Sequence, residues 1–152
     1  MSSLEQRVRL IEDRQALQDL FHGYLFAVDS LTDLDGMLSL FTEDVSFDLR
    51  EIGLPCLKGH DGLRQFFADV FGYMSHHAHY GTNFTVRHLD ADTASAWAYV
   101  IGSGVRDGVQ VTLHVKYFLD YLRTPAGWKI CRFSEAPILP MPDSLTQVHR
   151  SH

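Results

Sequence analysis

The sequence predicts one α+β domain, with an antiparallel sheet covered by helices on one side. Two observations carry this. Amphipathic stretches with three- and four-residue spacing come first in the chain, and alternating apolar stretches follow. The junctions between the alternating stretches carry turn chemistry: Asp90-Ala91-Asp92, Arg106-Asp107-Gly108 and Thr124-Pro125-Ala126-Gly127.

Each element follows from its pattern. Leu4 to Asp29 reads as one long helix, because Leu4, Val8, Ile11, Leu17, Leu20, Phe21, Tyr24 and Val28 fall on one stripe. Thr32 or Asp33 can cap a short second helix running to Phe41. Val45 to Arg50 alternates as a half-buried strand. Residues 51–59, with Gly53 and Pro55, suit an edge strand or loop. His60 to Tyr73 is a third helix with Leu63, Phe66, Phe67, Val70 and Phe71 on its stripe. Strands are expected near 77–89, 93–105, 109–123 and 128–136. The domain is placed at residues 1–142. Prolines 137, 140 and 142 exclude regular helix or central strand, so 143–152 is expected as a flexible tail.

Two strands are apolar on both faces. Trp97, Tyr99 and Ile101 alternate with Ala94, Ala96, Ala98 and Val100, and Phe118 and Leu122 lie opposite the face of Val115, Tyr117 and Leu119. A sheet with no polar face predicts a second subunit over the outer side. His114 faces that outer side by parity.

Composition narrows the function. The 152 residues carry a net charge of −6, which disfavours nucleic acid and anionic membranes as partners. Hydrophobic residues make up 45%, yet no run reaches the roughly 18 apolar residues of a membrane span. Met1 to Arg9 is polar and is not a secretory signal. Cys56 and Cys131 form no CxxC pair, so a reduced, cytoplasmic protein is expected. No nucleophile elbow, phosphate-binding loop or dinucleotide fingerprint is present, and no cofactor is expected.

Nine histidines are many for this length, and three stand together as His76-His77-Ala78-His79. On a strand, His77 and His79 share a face. With Asp29 as a third ligand they could hold a metal. No second ligand pair has metal-like spacing, so no metal is assigned. Asp29 closes the first helix among apolar neighbours, either as a helix-end residue or turned inward to a partner.

Taken together, Ala27-Val28-Asp29, Leu40-Phe41-Thr42-Glu43-Asp44-Val45, Lys58-Gly59-His60-Asp61-Gly62-Leu63, His79-Tyr80-Gly81-Thr82-Asn83 and Gly127-Trp128-Lys129-Ile130 resemble the SnoaL-like branch of the nuclear transport factor 2-like superfamily. The resemblance runs from about Leu10 to Ala136. It implies a cystatin-like cone, a curved antiparallel sheet wrapped by helices around an apolar pocket. Among its groups the sequence is similar to scytalone dehydratase, bile-acid 7α-dehydratase and hexachlorocyclohexane dehydrochlorinase. In scytalone dehydratase and the dehydrochlorinase a histidine is the base and an aspartate orients it, and the matching positions are His79 and Asp29. Tyr24 is similar to the tyrosine of the bile-acid enzyme. The pocket lysine and arginine of the dehydrochlorinase are replaced by Tyr24 and Phe133, so dehalogenation is not expected.

The resemblance thus implies a cofactor-independent lyase of the dehydratase kind, or an isomerase. His79 would abstract a proton, Asp29 would orient it, and Tyr24 would donate a hydrogen bond. Phe26, Phe47, Phe67, Phe84, Val100, Tyr117 and Phe133 are expected as walls for a small apolar cyclic or aromatic substrate. The close groups imply a homo-oligomer, a trimer first and a dimer next. The alternative is a binding or protein-interaction module on the same cone.

Overall fold

The computed structural model describes residues 2–149. Helix α1 spans Leu4–Ser30. Ser3 caps it, accepting from the Gln6 amide while the Gln6 side chain accepts from the Ser3 amide. Leu31, in the left-handed conformation, ends it. Helix α2, Leu34–Leu38, is capped by the Asp33 carboxylate through the Gly36 amide. It stops before the expected Phe41, because Phe41 already belongs to strand β1, Phe41–Asp48. A 3-10 turn, Arg50–Ile52, and a short strand β2, Cys56–Lys58, fill the segment expected as edge strand or loop. Helix α3 is Gly59–Tyr73. Four long strands follow: β3 His76–Leu89, β4 Thr93–Arg106, β5 Val109–Thr124 and β6 Gly127–Pro137.

The six strands lie in the order β2-β1-β6-β5-β4-β3. The sheet is mixed rather than wholly antiparallel: β1 runs parallel to β6, and every other pairing is antiparallel. A strand entering from the helical half meets the last strand, whose direction the meander has already set. Register shifts interrupt the ladders between Thr82 and Thr85, Val86 and His88, and Asp120 and Tyr121. Asn83 stands at the first of these with φ of 57°. Such bulges bend a strand. The sheet therefore curls around α1 and α3 without closing.

The concave face holds the core. Phe47 and Phe133 stack at 4.2 Å between centroids, and Tyr24 leans on both. Asp13 ties α1 to the far strands: its carboxylate accepts two 2.8 Å bonds from Arg123 and one of 3.0 Å from the Trp128 indole. Burial pushes its pKa up, but the bonds from Trp128 and Arg123 outweigh this and hold the carboxyl below its usual range.

Two further expectations are corrected. The front of α1 is not a buried stripe: Leu4, Val8 and Ile11 are exposed, because the helix outruns the sheet. The segment after Asp143 is not wholly irregular. Ser144–Val148 form helix α4, which begins beyond the last proline and buries Leu145 and Val148. His152, counted with the tail, lies outside the described residues.

Candidate active site

Asp29 stands in the last turn of α1, the negative end of the helix dipole, where a carboxylate is normally unfavourable. It is compensated from β3. The backbone N–H of His79 donates to Asp29 Oδ2 at 2.8 Å, and His79 Nδ1 lies 2.5 Å from Oδ1. An ionised carboxylate only accepts, so Nδ1 carries the proton and the Nε2 lone pair is left free. Ring and carboxylate are mostly shielded, with side chains 15% and 25% exposed.

His77, on the same face of β3, is held alike. Its Nδ1 donates to the Val28 carbonyl at 3.1 Å, so its Nε2 is also the unprotonated end. The two rings stand 5.2 Å apart and nearly perpendicular. Burial lowers the pKa of His77 and keeps it neutral.

The neighbouring strand makes room for both rings. Gly102 pairs with His79 and Gly104 with His77. A Cβ on Gly102 would stand 2.9 Å from His79 Cδ2, and one on Gly104 would stand 2.9 Å from His77 Cδ2. The Gly102-Ser103-Gly104 run is the slot in which the imidazoles lie.

These groups open on a cavity of about 80 Å³. Tyr24 and Val28 come from α1, Phe66, Phe67 and Val70 from α3, Val115 and Tyr117 from β5, Glu135 from β6, and His149 from beyond α4. Among the described residues, no lysine or arginine lines it. Burial raises the Tyr24 and Tyr117 hydroxyls far above the usual phenol range, so both stay protonated donors.

The expected wall residues divide. Phe67 and Tyr117 line the cavity. Phe47 and Phe133 are fully buried behind it, supporting Tyr24. Val100 is buried and Phe84 stacks on Phe21, both away from the cavity lining. Phe26 is corrected: it is 78% exposed on the outer side of α1. Two residues beyond Tyr24 is about 200° around a helix.

Among the lining residues that sequence reading missed, two are titratable, Glu135 and His149. Glu135 is only 7% exposed, and burial pushes its carboxyl up to about 8. Parity on β6 with Phe133 was the available signal. His149 falls in the segment expected as a flexible tail, yet its Nδ1 lies 2.8 Å from the Tyr73 hydroxyl, and burial lowers its pKa to about 4.

Asp29, His77 and His79 also offer ligand-type atoms within 4.8 Å of one another. Both Asp29 oxygens and both histidine Nδ1 atoms are engaged in the bonds above, while the two Nε2 atoms keep free lone pairs.

A curled, unclosed sheet wrapped by helices is the cystatin-like fold, shared with a nuclear transport factor 2-like protein of Novosphingobium aromaticivorans at TM-score 0.77 and 22% identity. The chain belongs to the SnoaL-like domain family, whose model matches residues 9–134. It is 35% identical over 132 residues to uncharacterized proteins of Mycobacterium tuberculosis and Mycobacterium bovis, covering 80% of this chain and 83% of theirs. Among solved structures, a candidate aromatic ring hydroxylase of Novosphingobium aromaticivorans is 50% identical with a TM-score of 0.87, covering 91% of this chain and 97% of that one. A type 2 hexachlorocyclohexane dehydrochlorinase aligns at TM-score 0.79 and 21% identity, covering 88% and 90%. A candidate scytalone dehydratase of N. aromaticivorans aligns at 0.77 and 15%, covering 88% and 89%. The last two show the fold alone. No helix among the described residues is long and apolar enough to cross a membrane.

Proposed function

We propose that this protein is a cofactor-independent lyase of the dehydratase kind, or an isomerase, acting on a small apolar cyclic or aromatic substrate. His79 removes a proton through Nε2, Asp29 orients the ring and stabilises the imidazolium, and Tyr24 hydrogen-bonds the oxygen on which charge develops. The observation that carries the reading is the double hold of Asp29 on His79, which leaves Nε2 beside an apolar cavity. The ring-hydroxylase name of the 50% identical relative supports the same substrate shape.

The experiment is a turnover assay across cyclic ketones and alcohols with His79→Ala and Asp29→Asn. Removing a general base costs about 10²–10⁴-fold in turnover and less in binding. Full turnover by His79→Ala would sink the reading. Ligand binding without turnover in the wild type would favour a binding module.

Assembly is part of the proposal. Trp97, Tyr99, Ile101 and Leu122 lie 37–41% exposed on the convex face, where a second copy would cover them. A homotrimer is favoured and a dimer comes next; light scattering that finds only monomer refutes both. Free Cys56 and Cys131 fit a reducing cytoplasm.

A further inference from the structure

Glu135 is a buried acid for which the base mechanism has no use. Its partner across the β5–β6 ladder is Tyr117, whose hydroxyl donates to its carboxyl group. The groups flanking the same cavity are Tyr24 and Asp29 from α1, His77 and His79 from β3, and His149 beyond α4. No lysine or arginine among the described residues lines the cavity to balance a carboxylate at Glu135. A buried carboxyl group without a cation is cheaper neutral than ionised.

We propose that Glu135 is a second catalytic residue, a neutral carboxylic acid that hands its proton to the oxygen leaving the substrate, and that the site takes uncharged, hydroxyl-bearing rings. The inference rests on the reading of His79 as the base. A carboxyl group has two oxygens, so one can accept from Tyr117 while the other carries the acidic proton for the substrate. That the carboxyl titrates only near 8 agrees with this. A lining with no lysine or arginine among the described residues disfavours carboxylate and phosphate substrates for the same reason that it keeps Glu135 neutral.

The step balances without an oxidant. His79 Nε2 takes a proton from a carbon beside a carbonyl, and the C–H electron pair becomes the new C=C bond. The C–O bond to the neighbouring hydroxyl breaks, its electron pair stays on oxygen, and that oxygen takes the Glu135 proton and leaves as water. The imidazolium then returns its proton to Glu135 through solvent. The sum is alkene plus water, with both side chains restored. An acid and a base of matched protonation state at neutral pH are what such an elimination requires.

The test uses 3-hydroxycyclohexanone and 3-acetoxycyclohexanone, which both give cyclohex-2-enone; acetate leaves without needing a proton. Glu135→Gln keeps the shape and cannot protonate. It is expected to lose about 10²-fold or more on the hydroxy ketone and far less on the acetoxy ketone. His79→Ala is expected to lose both. If Glu135→Gln turns over the hydroxy ketone normally while His79→Ala is inactive, the Glu135 role is overturned and the base stands. If His79→Ala is active, the base reading itself falls. A wild type inert to both ketones overturns the assigned substrate class. Infrared difference spectra of wild type against Glu135→Gln near neutral pH need no substrate, with folding checked by circular dichroism. One protonated carboxyl band is expected, and a carboxylate band overturns the proposal.

Discussion

The His79 imidazole lies against Gly102 of the neighbouring strand, so closely that a methyl group there would stand 3.0 Å from Nε2. That nitrogen is the one the proposed mechanism needs. Gly102→Ala should therefore displace the base while leaving the fold in place. Because Gly102 lies in the regular β4 ladder, the expected stability cost is about 1–3 kcal/mol of overpacking. Turnover should fall about 10²-fold, as misplacement by about 1 Å can cost. Thermal melts beside kinetics check both.

Glu135 makes stability depend on pH. Its folded pKa, about 8, lies above its ordinary value of 4.5, so between these values the folded state holds a proton that the unfolded state has lost. Stability contributed by this group is full below about 4.5 and is lost as pH rises to 8. Glu135→Gln should accordingly gain melting temperature over wild type as pH rises through that window. Equal melting curves at every pH count against a buried acid.

His149 works in the opposite sense. Its folded pKa, about 4, lies below the ordinary 6.5, so the undocked tail binds the extra proton between them. Acidification through that window should loosen α4, which Arg106 also holds by donating to the Val148 carbonyl at 2.9 Å. The groups around the ring are Tyr73, His77 and Arg106. Hydrogen exchange at residues 144–149 should quicken relative to β5 as pH is lowered, after correction for intrinsic rates.

Chelation separates the two readings of the histidine cluster. With both Asp29 oxygens committed to His79, turnover should survive prolonged exposure to a strong chelator. Loss of turnover that a divalent ion restores would instead make Asp29, His77 and His79 a metal site.

The elements with clean periodicity were legible. The four meander strands fall within two residues of their expected ends, because alternation and turn chemistry agree there. The meeting of Asp29 with His79, fifty residues apart, has no local signature and was legible only through the motif resemblance. Phe26 has the aromatic character of a pocket wall, but its helical angle, about 200° from Tyr24, turns it to the outer side. Glu135 was passed over because an acid in a strand reads as a solvent-facing residue unless the burial of its neighbours is known. The five residues of α4 are too few for a helical period to show.

The parallel seam between β1 and β6 bears on how the molecule assembles. Strands β3 to β6 join neighbour to neighbour through short turns, whereas β1 must wait for a strand more than eighty residues further along. Loop-closure entropy opposes that late pairing. The meander is thus the expected nucleus, with β1, β2 and α3 docking last. The order leaves the Phe66, Phe67 and Val70 side of the cavity in the least protected cooperative unit, so that wall should be the first to breathe open around an incoming ring.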